Sequence, residues 1–268
     1  MIEVVREKIT ALLESGAVAG FLGLKLEHGQ VGPHLFQSAA ELRRLSLGDR
    51  ERPGDSRYPL VKLLAGLARA RPEEVFGVLL RGCDERGLRV LFSLNQLDPA
   101  KVVGVGIACP PELAESCECA QPYPDELTAG EKTGGVPAGS VDALEALGRS
   151  ERLSRFMADF ARCLRCYGCV EVCPVCLCRD CSLRCRELVG IGEMPPAAPL
   201  FHLIRAVDTA GRCVDCGLCA EACPAGLPLR TLYKKVARIM EEEFGFRAGW
   251  EPGRTSPLLC WDTEPGGR

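Results

Sequence analysis

The residues of this sequence most able to do chemistry are its cysteines. Two runs, Cys163-x2-Cys166-x2-Cys169-x3-Cys173-Pro174 and Cys213-x2-Cys216-x2-Cys219-x3-Cys223-Pro224, each place three thiols within seven residues and a fourth just before a proline. Three thiolates from one tight loop reach three iron corners of a cubane. The loop N–H groups point at its sulfides, and the proline turns the chain away. Structural zinc is the plain alternative, but such sites usually take two separated cysteine pairs.

Both runs have the ligand pattern of two-cluster ferredoxins, in which the fourth cysteine of each run serves the opposite cluster. The expected sets are Cys163, Cys166, Cys169 and Cys223 for one [4Fe–4S] cluster, and Cys213, Cys216, Cys219 and Cys173 for the other. These account for eight of 17 cysteines. A further group, Cys176-x-Cys178-x2-Cys181-x3-Cys185, follows the first run directly. It reads either as a third cluster or as one or two substitute ligands among buried thiols. Cys83 follows the run VFGVLL, Cys109 ends VVGVGIA, and Cys117 and Cys119 lie in the next loop. Ends of neighbouring parallel strands converge, so these four could meet at one edge as a fourth cluster. The alternative is that they are merely buried or exposed cysteines. Cys260 is then left alone. Arg162, Arg165, Arg179, Arg184 and Arg186 surround the cysteine-rich stretch and would offset negative clusters, although each alone reads as ordinary solvated charge. His28, His34 and His202 are scattered, and no role is assigned to them.

The elements that must position these thiols follow from hydrophobic period. Val4, Val5, Ile9, Leu12 and Leu13 recur at helical spacing. AGFLGLKLE and HGQVGPHLF read as two strands about a turn, and PLVKLLAGLARAR as a helix. VFGVLL, DERGLRVLFSLNQL and KVVGVGIAC form a βαβ unit, for which parallel pairing is natural. DALEALGRSERLSRFMADFARC and PLFHLIRAVDTAGRC each lead as a helix into one cysteine run. TLYKKVARIMEEEFG closes that part, with Leu232, Val236, Ile239 and Met240 expected on one face. The fold class is therefore α+β overall. Residues 1–125 form a small N-terminal α/β domain and 126–150 a Gly-rich linker. Residues 151–245 form a mainly helical di-cluster ferredoxin-like domain. Residues 246–268 are an extended tail expected to dock on a partner through Leu258, Leu259 and Trp261.

Composition removes several function classes. The net charge of −3 and the lack of any basic run interleaved with aromatics argue against nucleic-acid binding. The longest apolar stretches fall far short of the about 20 residues that span a bilayer, so no membrane insertion is expected. The first ten residues do not read as a secretion signal, and disulfide frameworks belong mainly to small secreted chains, which leads to a reducing cytoplasm as the expected compartment. No G-x-G-x-x-G follows a strand, and GGVPAG sits in linker sequence.

The order of motifs resembles the beta subunits of coenzyme-reducing hydrogenases and formate dehydrogenases, particularly bacterial relatives working beside heterodisulfide-reductase-like complexes. LLRGCDERGL, LNQLDP, VGIACP with CECAQPYP, RCLRCYGCVEVCPVCLCRDC and GRCVDCGLCAEACP carry the resemblance. It implies a non-catalytic electron-relay subunit of an anaerobic oxidoreductase complex, working between a catalytic subunit and a flavin-containing or heterodisulfide-reductase-like partner. Some members of the family bind FAD and a deazaflavin coenzyme and carry a G-G-x-x-T/S-A-L element before the region of Pro59. That element does not occur here, so FAD is not expected, though the alternative of a flavin-bearing subunit that itself reduces a deazaflavin-type coenzyme stays open.

Overall fold

The computed structural model describes residues 1–185, 187 and 198–259, so Arg186, Cys260 and Trp261 lie outside the described residues. The N-terminal half is a mixed sheet flanked by helices. Helix α1 (Ile2–Glu14) leads to strands β1 (Gly20–Glu27) and β2 (Gln30–Phe36), which pair antiparallel. Both residues of their turn, His28 and Gly29, have positive φ (50° and 73°). A two-residue hairpin loop needs this backbone for its twist to match that of the strands. A short strand, β3 (Leu45–Ser46), also pairs with β1. Helix α2 (Leu60–Ala70), strand β4 (Phe76–Leu80), helix α3 (Gly82–Ser93) and strand β5 (Val102–Gly106) complete this half. The strand order is β2-β1-β4-β5, with β1–β4 and β4–β5 parallel. Every residue of β4 is buried, as expected of a strand covered on both faces. Phe21, Phe36, Phe76, Leu64 and Leu91 anchor the core around it.

Beyond β5, helix α4 (Pro111–Cys117) is followed by a stretch with little regular structure. Its backbone is nonetheless held. The Cys109 N–H donates to the Pro122 carbonyl (2.7 Å), the Ala108 N–H to that of Ala129 (3.0 Å), and the Val136 N–H to that of Cys119 (2.9 Å). The helix expected from Asp142 to Cys163 is two helices, α5 (Gly139–Glu145) and α6 (Arg149–Ala161), because Gly148 adopts an extended conformation between them.

The cysteine-rich half is helical among the described residues. One-turn helices α7 (Gly168–Glu171) and α9 (Leu218–Glu221) carry parts of the two cysteine runs. Helix α8 (Ala198–Thr209) packs on α6, and α10 (Leu229–Phe244) packs on α8 and α9. The buried side of α10 runs through Leu229, Tyr233 and Met240, whereas Ile239, expected on that face, is 42% exposed. Phe160, Phe201, Leu229 and Tyr233 centre this second core.

A third cluster of buried side chains joins the halves: Val90 of α3 meets Val175, Val214, Met240 and Phe246. The first residues of the expected tail therefore do not extend away. Phe246 and Ala248 are buried in this cluster, and the Arg89 guanidinium donates to the carbonyls of Gly249 and Trp250. A chain that lacks apolar surface for a core of its own can still complete a neighbouring one. Leu258 and Leu259 remain exposed. Among the described residues, no helix is long and apolar enough to cross a membrane.

Candidate metal centre

The two sequence runs build the same backbone twice. Arg165 and Tyr167 in the first, and Asp215 and Gly217 in the second, all have positive φ (50°, 61°, 54° and 76°). Three of these are not glycine, and each such residue costs roughly 1–3 kcal/mol unless its surroundings over-determine it. The turns aim amide groups at sulfur. The Arg165 N–H donates to Cys163 Sγ (3.3 Å), that of Asp215 to Cys213, and that of Leu218 to Cys216.

Cys163, Cys166, Cys169 and Cys223 line one pocket, and Cys173, Cys213, Cys216 and Cys219 line another. The fourth cysteine of each run thus lines the other run's pocket. We call these the outer and middle pockets, because Cys166 is exposed and Leu164 beside it is 68% exposed.

A third pocket lies at the C-terminal edge of the sheet. Leu80 and Gly106 are in register at the ends of parallel β4 and β5, so Cys83, in the first turn of α3, and Cys109, just past β5, come out side by side. Helix α4 delivers Cys117, and Glu118 in the left-handed region (φ 45°) turns the chain so that Cys119 faces back. All four thiols line this N-terminal pocket. It neighbours the middle one, since Asp215 and Arg230 line both. Close approach of the loop depends on Gly82, where a Cβ would lie 2.5 Å from the Tyr123 carbonyl oxygen and 2.6 Å from that of Gln121. We expect Gly82→Ala to destabilise the chain by roughly 1–3 kcal/mol, as over-packing does, and to lower the iron bound at this edge. Thermal melts with iron analysis check this, and wild-type values for both would contradict it.

The remaining four cysteines line none of these three pockets. Cys176 sits against Cys173, whose thiol is held below its usual range by a hydrogen bond from Cys176, while Cys176 itself is pushed up. The shared proton therefore rests on Cys176. Cys178 is exposed, Cys181 packs at the edge of the helical core, and the Cys185 thiol donates to Glu187 (2.9 Å). Of the arginines expected to offset cluster charge, Arg165 lines the outer pocket, while Arg162 and Arg184 pair with Asp159 and Glu171.

Burial raises most of the thiols: those of Cys169 and Cys213 to about 11, and those of Cys83, Cys216 and Cys219 further. The pockets are also lined by buried polar atoms that find no protein partner among the described residues: the donors Arg57 Nε, Arg205 Nε and Tyr233 Oη, and the two ring nitrogens of His202, of which the neutral imidazole donates through one. A buried donor left unpaired costs about 1–3 kcal/mol. Among the described residues no three Cys, His, Asp or Glu side chains are placed to hold a single metal ion. What fits is a larger group rich in acceptors, and the sulfides and thiolates of a [4Fe–4S] core are that.

No motif marks Arg205, Arg230 or Arg57, and His202, to which sequence assigned no role, lines the outer pocket. His202 is 1% exposed, stacked on Phe160 at 4.5 Å, and its pKa is lowered to about 4 by burial and then by Arg205. Its signal was only an apolar helix with one imidazole beside a cysteine run.

The 4Fe-4S binding domain family matches residues 207–227. The F420-dependent formate dehydrogenase subunit beta of Methanocaldococcus jannaschii is 32% identical over 97 residues, covering 36% of this chain and 26% of the relative. The F420-dependent formate dehydrogenase 1 subunit beta of Methanococcus maripaludis is 39% identical over 88 residues, covering 33% of this chain and 22% of the relative. YkgF of Escherichia coli, described as an uncharacterized electron transport protein, is 30% identical over 149 residues, covering 50% of this chain and 30% of the relative. The chain thus spans less than a third of the length of each. Over these segments the chain is similar to iron–sulfur electron-transfer subunits, the beta subunits of F420-dependent formate dehydrogenases among them, and with the 4Fe-4S family match its thiol pockets support more than one [4Fe–4S] cluster.

Proposed function

We propose that this chain is a non-catalytic relay subunit that conducts electrons through three [4Fe–4S] sites in a row. Cys163, Cys166, Cys169 and Cys223 hold the outer site. Cys173, Cys213, Cys216 and Cys219 hold the middle one, and Cys83, Cys109, Cys117 and Cys119 the N-terminal one. Cys176 acts as a hydrogen-bond donor to Cys173, and Cys178, Cys181 and Cys185 lie outside the relay. When bound, each cluster supplies one-electron redox chemistry; the protein supplies burial, orientation and hydrogen bonds.

The observation that carries this reading is the arrangement of the three thiol-lined pockets. The outer and middle pockets exchange their fourth cysteines, and the middle and N-terminal pockets share Asp215 and Arg230. A single storage site would need only one pocket. The relay reading extends to partners: a catalytic subunit of formate dehydrogenase or hydrogenase type on one side, and a flavin-containing or heterodisulfide-reductase-like subunit on the other.

Anaerobic titration of the purified chain with a low-potential one-electron donor tests it. The expected uptake is about three electrons per chain, one for each cluster, with paramagnetic signals broadened by mutual coupling. Uptake of one electron, or three uncoupled signals, would sink the relay.

A further inference from the structure

Between each pair of neighbouring pockets stands an arginine that reaches toward both. Arg205, on α8, is 2% exposed and lines the middle pocket. Its Nη2 donates to the carbonyl of Cys169, a residue of the outer pocket, at 2.8 Å, and its Nη1 to Cys176 Sγ at 3.4 Å. Its guanidinium lies over the Tyr233 ring at 5.4 Å, and it meets no carboxylate among the described residues. Arg230, on α10, lines both the middle and the N-terminal pockets. Its Nε donates to Asp215 Oδ1 at 2.9 Å and its Nη2 to the Asp215 carbonyl at 2.7 Å, and it also donates to Cys117. It lies so close over the second cysteine loop that a Cβ at Gly217 would be 2.6 Å from its Nη1.

We infer that Arg205 and Arg230 are positioning residues, each setting the potentials of two neighbouring clusters at once: Arg205 those of the outer and middle sites, Arg230 those of the middle and N-terminal sites. This rests on the relay reading. A fixed positive charge in a water-poor interior favours the reduced, more negative state of whatever lies on either side, because it is little screened there. Arginine keeps its charge under all ordinary conditions, and its planar fork can hydrogen-bond toward both neighbours, which a flexible ammonium does less well. A cation between two centres also keeps them matched, since a change in its surroundings moves both together.

The test is a potentiometric titration of the full chain, followed by EPR, for wild type, Arg205→Gln and Arg230→Gln. Arg205→Gln is expected to lower the outer and middle potentials by about 59 mV or more, a tenfold change in each one-electron equilibrium, and to leave the N-terminal potential in place. Arg230→Gln is expected to lower the middle and N-terminal potentials and leave the outer one. Arg205→Lys, which restores the charge but not the fork, is expected to recover most of the shift, whereas a purely structural role would not be rescued by charge. A shift of one cluster alone, an equal shift of all three, or failure of the lysine to recover the potentials would overturn the inference. If a glutamine variant loses iron instead, the arginine holds the clusters in place and does not set their potentials, and the inference fails. Iron content of the unsubstituted chain judges the relay reading separately: fewer than about twelve irons ends that reading before any arginine is changed.

Discussion

Replacing Cys109 and Cys117 together by serine is expected to lower the iron of the anaerobically purified chain from about twelve to about eight atoms, with acid-labile sulfide falling in step. The two residues approach the N-terminal pocket from different elements, Cys109 from the end of β5 and Cys117 from the end of α4. Removing both leaves only Cys83 and Cys119, too few thiolates to retain a cubane. A single substitution would be less decisive, because three thiolates remain. The other two sites should survive. Their eight cysteines come from the two runs alone, and the Asp215–Arg230 pair and Lys234–Asp215 contact that face the N-terminal pocket remain in place. EPR of the reduced variant should therefore keep the coupled pair of signals and lose the third. An iron content still about twelve would show that Cys83, Cys109, Cys117 and Cys119 are ordinary thiols and that the third cluster sits on other cysteines.

What the sequence disclosed, and what it withheld, divides along the range of the interactions. The cysteine runs are local: three ligands in seven residues can close on one loop, and the exchange of Cys173 and Cys223 is what the resemblance to two-cluster ferredoxins implies. The N-terminal pocket was legible as a convergence, because VFGVLL and KVVGVGIAC read as neighbouring parallel strands and their ends must lie side by side. Cys176 to Cys185 read either as one site or as partial use, and in the structure Cys178 is exposed and the Cys185 thiol donates to Glu187. Arg57, Arg205 and Arg230 were invisible. Arg57 reaches its pocket from a loop far along the chain, and Arg205 and Arg230 sit on helices flanking the second run, where on sequence alone a basic residue reads as solvated charge. The fate of Phe246 and Ala248 is of the same kind, since the surface that buries them is formed by Val90, Val175 and Val214, and no local pattern announces it.

A chain stripped of iron under reducing conditions is expected to lose stability as pH rises from about 8.5 toward 11, while the loaded chain does not. In the stripped protein the thiols of Cys169 and Cys213 are raised to about 11 by burial, against an unfolded value near about 8.5. Because the folded value lies above the unfolded one, their contribution is fully present below about pH 8.5. It is lost as pH climbs through the folded value, since the unfolded chain gives up its protons first. At about 1.4 kcal/mol per pH unit, each such thiol removes on the order of 3 kcal/mol across that window. Cys83, Cys216 and Cys219 shift in the same direction. That total is large against the stability of an ordinary domain. The loaded chain holds these sulfurs as thiolates in the folded state at every pH in the range, so the drive to unfold by deprotonation is absent. Cluster assembly has the opposite sign: binding iron releases the thiol protons, so the affinity for iron grows as pH rises. Anaerobic thermal melts of stripped and loaded protein at matched pH values separate the two trends. Tyrosine and lysine titrations elsewhere are common to both samples and cancel in the difference. The two melting curves should diverge with rising pH, and if they run parallel, the buried thiols are not the pocket ligands that the metal must deprotonate.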